Sequence, residues 1–158
     1  MKTFFSKKSV TIVRGNLFEN QEDSLAHCVS QCFTMGKGIA VVFKERYGHV
    51  DELKAQAVQV GGVATLQVNG GNPEDSHLGG SRWIYYLVTK KFYYGKPTME
   101  TLEQSLCACR DHALAHAVKT IAMPRIGCGL DRLDWNKVLA LIGNVFADTG
   151  ISIKIYSI

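Results

Sequence analysis

The sequence predicts a single α/β domain with a mostly parallel sheet covered by helices on both faces. Strand-like segments alternate with helical segments along most of the chain, and this order is typical of such sheets. The length of 158 residues fits one ordinary domain, and no internal repeat or linker interrupts it.

The first two predicted strands have different patterns. Residues 9–14 (SVTIVR) alternate and are rich in β-branched side chains, so they predict a strand that stops at Gly15. Residues 24–30 form a nearly continuous apolar run, which predicts a strand buried on both faces.

Two helices are predicted after a polar turn. In MGKGIAVVFKERYG the apolar side chains from Ile39 to Tyr47 recur at helical spacing, and Gly48 stops the helix. Residues 50–60 predict a second, short helix, because a Gly-Gly pair follows them.

The middle of the chain predicts a hairpin. Residues 63–68 (VATLQV) and 83–89 (WIYYLVT) are both strand-like. The residues between them, NGGNPEDSHLGGSR, are turn formers and predict a long connection.

The last part of the chain predicts two further helices and two further strands. A helix begins with Thr98 as its N-cap, and a strand over 118–123 follows. Residues 134–149 predict a helix closed by Gly150, and residues 152–158 alternate as a final strand.

The composition is that of a globular protein, with 46% hydrophobic and 20% charged residues. The net charge of +4 suits an acidic ligand, but the basic residues form no stripe of the kind that binds a duplex. No apolar run reaches the ~18 residues of a membrane span, and the start has no signal-peptide core. We therefore expect an intracellular protein, in the cytoplasm or nucleus, with no membrane association.

The cysteines predict free thiols, since their number is odd and the expected location is intracellular. No pair has the C-x₂-C spacing of a zinc site, so we expect neither a metal nor a cofactor. The five cysteines are Cys28, Cys32, Cys107, Cys109 and Cys128.

A glycine loop ends the strand before the last helix. In IGCGLD, Gly127 and Gly129 flank Cys128, and glycines allow successive N–H groups to turn toward one point. Such a loop near a helix N-terminus suits a phosphate, but a tight turn would need the same glycines. Both interpretations are open for this motif alone.

A second glycine pair, Gly36 and Gly38 in MGKGIA, also opens a helix after a strand. Two such loops at one edge of a sheet could hold the two phosphates of a diphosphate ligand. Neither has the spacing of an NTP-hydrolysing P-loop, and the third glycine of the dinucleotide fingerprint is absent.

Lys90 and Asp131 are the candidate chemical groups. Lys90 ends a predicted strand and Lys91 follows it, a pattern that is usually a solvated surface pair. A lysine in a partly dry cleft can instead attack a carbonyl-like carbon. Asp131 is either a helix N-cap or dipole partner, or a carboxylate that orients the lysine and moves protons.

The histidines and Cys128 are given lesser roles. His27 lies in a predicted buried strand and is interpreted as a core histidine with satisfied hydrogen bonds. Cys128 has no obvious histidine to activate it and is interpreted as lining the loop. The other histidines are expected to be exposed or peripheral: His49, His77, His112 and His116.

Taken in order, the motifs VRGNLF, DSLAHCVS, MGKGIAVVFKERYG, IYYLVTKK, KPT and MPRIGCGLDRLDW resemble a known family. They match macrodomains of the terminal ADP-ribose protein glycohydrolase, or O-acyl-ADP-ribose deacylase, subfamily. The resemblance runs from about Val10 to Ile158. It implies a three-layer α/β/α sandwich with a central mixed, mostly parallel sheet. Residues 1–158 would form a single monomeric macrodomain, with 1–8 as a short flexible N-terminal segment.

The resemblance also implies an activity. The protein would be a metal-free ADP-ribosyl hydrolase that releases mono-ADP-ribose from acidic protein side chains or deacylates O-acyl-ADP-ribose. ADP-ribosylated nucleic acid is a further possible substrate. The family's catalytic lysine falls on Lys90, which would attack C1″ of the distal ribose to give a lysyl intermediate. Its catalytic aspartate falls on Asp131, which would assist formation and release.

The binding residues that the resemblance implies surround the ligand. Leu17 would meet the adenine through its backbone, Ser30 would line the distal side, and Ile158 would close over the ligand. The diphosphate and distal ribose would lie between two loops, one with Gly36, Gly38 and Ile39, and the other with Arg125, Ile126, Gly127, Cys128, Gly129 and Leu130.

Two features depart from the family's pattern. Asn16 occupies a position that usually carries an acid, which accepts a hydrogen bond from the adenine amino group. An amide oxygen can accept that bond without a full charge, so binding or substrate ranking would change. The hairpin connection from Asn69 to Arg82 is also long, and we interpret it as a surface insertion rather than a contact with the modified macromolecule.

Two other functions share the cleft. A non-catalytic ADP-ribose-binding reader module would need Lys90 or Asp131 to be unavailable. Phosphatase action on ADP-ribose 1″-phosphate would be a side activity.

Overall fold

The computed structural model describes residues 9–20, 23–69, 81–127 and 132–157, without the side chains of Asn69 and Ser81. Several sequence predictions therefore lie outside the described residues: the N-terminal segment 1–8, most of the hairpin connection with His77, residues 128–131, and Ile158.

A six-stranded sheet forms the centre of the described chain, in the order β1-β6-β5-β2-β4-β3. Neighbouring strands are parallel except β3 and β4, which pair antiparallel as the predicted hairpin. The mixed, mostly parallel sheet is thus confirmed. Its strands are β1 (Val10–Arg14), β2 (Ser24–Ser30), β3 (Val63–Asn69), β4 (Ser81–Lys90), β5 (Thr120–Pro124) and β6 (Ser152–Ser157).

Helices cover the sheet on both faces, with one apolar core on each. On one face Phe43 and Leu53 are fully buried in a core that includes Leu25 and Tyr86. On the other face lies a second core with Leu106 and Ile142. This confirms the predicted three layers. The helices are α1 (Ile39–Tyr47) and α2 (Val50–Ala55) on the first face, and α3 (Met99–Ala115) and α4 (Trp135–Val145) on the second.

The helix predicted over 50–60 is too long, because α2 ends at Ala55. Ala57 takes a left-handed φ of 52°, which breaks the helical path. The Gln56 side chain leaves the helix and bonds the backbone of Thr65 in β3. Its Nε2 donates to the Thr65 carbonyl at 2.7 Å, and its Oε1 accepts from the Thr65 N–H at 3.0 Å.

The later elements also differ at their ends. The strand predicted over 118–123 begins at Thr120, because Ala117 takes a left-handed φ of 57° and Val118 donates to the Ala113 carbonyl to close α3. The helix predicted over 134–149 ends at Val145, four residues early. The predicted Thr98 cap is confirmed, since its hydroxyl accepts from the Thr101 N–H at 3.1 Å.

His27 is buried as predicted, but the expectation that its hydrogen bonds are satisfied is wrong. Neither ring nitrogen has a hydrogen-bond partner. The ring stacks on Phe43 at 3.7 Å with an interplanar angle of 8°, and Tyr86 meets it edge-on. Burial lowers the pKa of His27 from 6.5 to about 3, so the ring behaves as a neutral aromatic core group.

Among the described residues, no helix is both long and apolar enough to cross a membrane.

Candidate functional site

A cleft of about 550 Å³ opens where β1, β5 and β6 end, beside the start of α1. This is the carboxyl edge of parallel strands, where the open α/β folds bind ligands. The volume is within the range of small-molecule sites. Of the sequence-predicted residues, Asn16, Leu17, Ile39 and Arg125 line this cleft.

Asn16 forms the start of a 3₁₀ turn (Leu17–Glu19) at the end of β1. Its Oδ1 accepts from the Phe18 N–H at 2.9 Å, and Leu17 and Phe18 are both buried. The oxygen predicted to meet the ligand is therefore also the cap of this turn. An amide oxygen has two lone pairs, so a second donor can still bind it.

α1 contributes a wall of the cleft, of which the sequence predicted Ile39 but not Val42 or Arg46. Ile39, Val42 and Arg46 all line the cleft, and their spacing of three and four residues puts them on one helix face. The Arg46 guanidinium carbon lies 5.2 Å from the centroid of the Phe18 ring. The helical spacing could have indicated that these three residues share a face. The contact with Phe18 could not be predicted in this way, because Phe18 and Arg46 are 28 positions apart in the sequence.

The opposite wall follows β5 and β6. β5 ends at Pro124 and Arg125 follows it, and Tyr156 and Ser157 end β6. Arg125 is exposed, and its guanidinium carbon lies 4.8 Å from the centroid of the Trp135 ring at the start of α4. This contact holds a cation at the rim of the cleft, where an anionic ligand would gain from it.

A polar network behind Tyr156 fixes the connection from β1 to β2. The Asn20 amide donates to the Tyr156 hydroxyl at 3.2 Å and to the Asp23 carboxylate at 2.7 Å. Lys154 pairs with the same carboxylate at 2.9 Å. The buried Arg82 guanidinium donates to the backbone carbonyls of Asp23 and Asn20, both at 2.8 Å. The network sets the position of a cleft wall.

The glycine loop before α1 is only partly as predicted. Gly38 takes a left-handed φ of 63° and caps α1, but Gly36 has no left-handed φ. In this loop Phe33 and Met35 have φ values of 53° and 48°, and both side chains are buried. Bulky residues hold this conformation only when surrounding packing imposes it. Packing of these two side chains in the core therefore fixes the conformation of the loop.

The glycine loop after β5 is described up to Gly127. That residue has a φ of 75°, and its carbonyl accepts from the Leu133 N–H at 2.6 Å. Ile126 is buried. Five predicted site residues lie outside the described residues: Cys128, Gly129, Leu130, Asp131 and Ile158.

The cap of α4 bears on the two interpretations of Asp131. The N-cap is Asp134, whose carboxylate accepts from the Asn136 N–H at 2.9 Å. The interpretation of Asp131 as the N-cap of that helix is therefore wrong.

Lys90 ends β4 and is half-buried, and it pairs with Ser30 across β2 and β4. Its carbonyl accepts from the Gln31 N–H at 2.8 Å, and the Thr89 carbonyl accepts from the Thr101 hydroxyl at 2.8 Å. The backbone at Lys90 is thus held from two sides. Since β2 and β4 run parallel to β1, β5 and β6, Lys90 and Ser30 lie at the same sheet edge as the cleft.

Cys32, beside Ser30, is a reactive group that the sequence analysis did not single out. Its sulfur lies 3.0 Å from the Ser30 hydroxyl and 3.1 Å from that of Thr34. Burial raises the pKa of the thiol, but hydrogen bonds with Ser30, Thr34 and the backbone of Tyr93 outweigh it and lower the pKa to about 7. A lowered pKa raises the thiolate fraction at neutral pH, and the thiolate is the nucleophilic form of cysteine.

A metal centre has no support in the described part of the chain, where no group of three His, Cys, Asp or Glu side chains could hold an ion.

Comparisons with known proteins agree with this architecture. The chain is 47% identical over 150 residues to the human ADP-ribose glycohydrolase OARD1, covering 94% of this chain and 91% of that protein. It is 30% identical over 152 residues to the DNA ADP-ribosyl glycohydrolase of Thermus aquaticus, covering 91% of this chain but 40% of that one.

Solved structures match the fold. The macrodomain of Thermus aquaticus DarG superposes with a TM-score of 0.79 at 26% identity, covering 94% of this chain and 98% of that one. Thermosipho africanus DarTG in complex with ADP-ribose superposes with a TM-score of 0.76 at 22% identity, covering 92% and 41%, and shows the fold alone. The family model described as Macro domain matches residues 26–142. With the sheet order, the cleft and the sequence in agreement, the chain belongs to the macrodomain family.

Proposed function

We propose that this protein is an ADP-ribosyl hydrolase that releases mono-ADP-ribose from acidic side chains or deacylates O-acyl-ADP-ribose. The observation that carries the proposal is Lys90, half-buried beside Ser30 at the sheet edge onto which a nucleotide-sized cleft opens. The identity of 47% to a protein named ADP-ribose glycohydrolase supports the same activity.

The ligand occupies the cleft with its two ends in different surroundings. The adenine end lies against Leu17 and Asn16, near the Phe18–Arg46 contact. The diphosphate lies between the loop ending in Gly38 and the segment that begins at Arg125. The exposed guanidinium of Arg125 and the left-handed turns at Gly38 and Gly127 suit an anion. The distal ribose then points along the sheet edge toward Ser30 and Lys90.

The reaction uses two groups in two steps. The Lys90 amine attacks C1″, so an N–C1″ bond forms while the C1″–O bond to the acceptor carboxylate breaks. Asp131 takes the proton that the amine loses. Water then attacks C1″ and the N–C1″ bond breaks. Asp131 gives its proton to the departing amine, accepts one from the attacking water and releases it to solvent. The products are free ADP-ribose and the unmodified acid.

The test is turnover of a glutamate-linked mono-ADP-ribosylated peptide. Lys90→Ala should abolish release of ADP-ribose while its affinity for free ADP-ribose, measured by calorimetry, stays nearly unchanged. This is because the lysine acts on C1″ and other groups hold the ligand. Lys119→Ala is the matched control, since this exposed lysine lies just before β5, at the opposite end of the strands, and should keep full activity.

The outcomes separate the enzyme from a reader module. If wild type binds the peptide and leaves it intact, the protein is a reader. If Lys90→Ala keeps full turnover, the covalent lysine mechanism is wrong.

The intracellular location remains part of this proposal. Within the described residues, Cys32, Cys107 and Cys109 are free thiols, which suits a reducing compartment.

A further inference from the structure

The turn that follows Lys90 exposes three aromatic rings in a row. Phe92, Tyr93 and Tyr94 have 44%, 58% and 69% of their surface exposed. Only two other large hydrophobic side chains of the described residues are comparably exposed, Ile12 and Leu114, and they lie elsewhere in the chain. A cluster of exposed rings needs an explanation that a single exposed ring does not.

The rings are pre-arranged. Phe92 and Tyr94 stack with centroids 5.2 Å apart and an interplanar angle of 21°, and Tyr93 meets Tyr94 edge-on at 5.3 Å. The Gly95 N–H donates to the Phe92 carbonyl at 2.9 Å, which closes the turn. β4 precedes this turn, and the Thr98 cap of α3 follows it. The backbone under the rings is therefore held at both ends.

Basic side chains flank the rings. Lys91 and Lys96 are exposed, and the Lys91 ammonium lies 5.6 Å from the centroid of the Phe92 ring. No acidic residue occurs in the sequence between Asp75 and Glu100. The turn over residues 91–96 (KFYYGK) thus combines stacked rings with positive charge and has no acidic residue of its own.

The turn borders the site. Lys90 directly precedes it, and the backbone of Tyr93 bonds the sulfur of Cys32, which also contacts the hydroxyl of Ser30. A molecule bound to the rings would therefore lie next to the ribose carbon C1″ that Lys90 would attack.

We infer that residues 91–96 form a stacking platform for the unpaired bases of a single-stranded nucleic acid that carries the ADP-ribose. This rests on the proposed hydrolase and adds a third acceptor class to the acidic side chains and acyl esters given there. Bases offer flat faces to aromatic rings, and their phosphates match the lysines. A duplex keeps its base faces stacked inside, and an acidic peptide offers charge without a regular series of rings.

The first experiment measures binding without chemistry. The probe is an unmodified, fluorescein-labelled single strand of about twelve nucleotides, a length within the usual site sizes, and anisotropy gives Kd. Tyr93→Ala/Tyr94→Ala should weaken binding by about fivefold or more for each ring removed. Tyr94→Phe keeps the ring and should bind as wild type does. Leu114→Ala, which removes an exposed apolar side chain near the end of α3, is the matched control.

The second experiment compares two substrates, an ADP-ribosylated single strand and an ADP-ribosylated peptide. The double tyrosine variant should lose kcat/KM on the strand through a higher KM and keep its value on the peptide. Melting temperature and affinity for free ADP-ribose should match wild type, since the rings are on the surface.

The outcomes test the stacking platform and the proposed function separately. If wild type binds a duplex as well as the single strand, or if the double variant binds the strand as wild type does, the platform is wrong. If the variant loses activity on the peptide instead, the rings serve a protein acceptor and the inference is overturned. If wild type hydrolyses neither substrate but binds the strand through the rings, the platform stands and the proposed function fails.

Discussion

His27 should make the stability of the protein depend on pH. In the folded state the ring is fully buried between Phe43 and Tyr86, and burial lowers its pKa to about 3, against 6.5 in an unfolded chain. As the pH falls below 6.5, His27 becomes protonated in the unfolded chain but stays neutral in the folded protein. His27 therefore costs no stability above pH 6.5 and costs progressively more as the pH falls toward 3.

The size of the effect follows from the two pKa values. Near pH 5 the unfolded histidine is almost fully protonated and the folded one is neutral. This pH lies about 1.5 units below the pKa of 6.5 in the unfolded chain. The difference corresponds to a loss of about 2 kcal/mol in the free energy of unfolding relative to neutral pH. Because the ring is fully buried, solvent screening does not reduce this value.

Urea unfolding of wild type and His27→Leu near pH 7.5 and near pH 5 measures this loss. Wild type should lose about 2 kcal/mol more than the variant over that change, because leucine cannot take up the proton. Contributions from other groups, such as His112, occur in both proteins and cancel. If both proteins lose the same free energy of unfolding, the core at His27 admits water or a proton and the argument is refuted.

Three shorter predictions concern the cleft and its surroundings. Arg46→Ala should weaken ADP-ribose binding several-fold by calorimetry, since it removes the cation beside Phe18, and Arg46→Lys should restore part of the loss. Asn16→Asp keeps the cap on the Phe18 N–H and adds charge to the acceptor, so ADP-ribose should bind more tightly; equal or weaker binding would contradict an adenine contact there. Cys32 should react with iodoacetamide at half its maximal rate near pH 7, as followed by mass spectrometry, and a half-point near pH 9 would show that its hydrogen bonds do not favour the thiolate.

The order of strands and helices could be predicted from the sequence because it depends on local periodicity. The hairpin of β3 and β4 and the Thr98 cap likewise depend on neighbouring residues. The strand order could not be derived in this way, since β1 pairs with β6 across nearly the whole chain. The end of α2 depends on Gln56 meeting Thr65 of another element, which no pattern within 50–60 contains.

The candidate site shows the same division. Lys90 follows a strand with a clear pattern, and the resemblance to the family gave it a role. Arg46 was not predicted, because its significance comes from Phe18 at the end of a different element. His27 was placed in the core correctly, but the apolar rings around it leave its nitrogens without partners, and only the assembled core reveals that.

The contact between Gln56 and Thr65 affects whether molecules of this protein can associate with one another. β3 is the last strand of the described sheet on its side, and such a strand presents free peptide groups on which another chain can add. The amide of Gln56 imitates a peptide unit, since it both donates to and accepts from the same residue. Gln56 thus occupies the hydrogen-bonding groups of Thr65 that a strand of a second molecule would need. It hinders association of two molecules through the edge of β3.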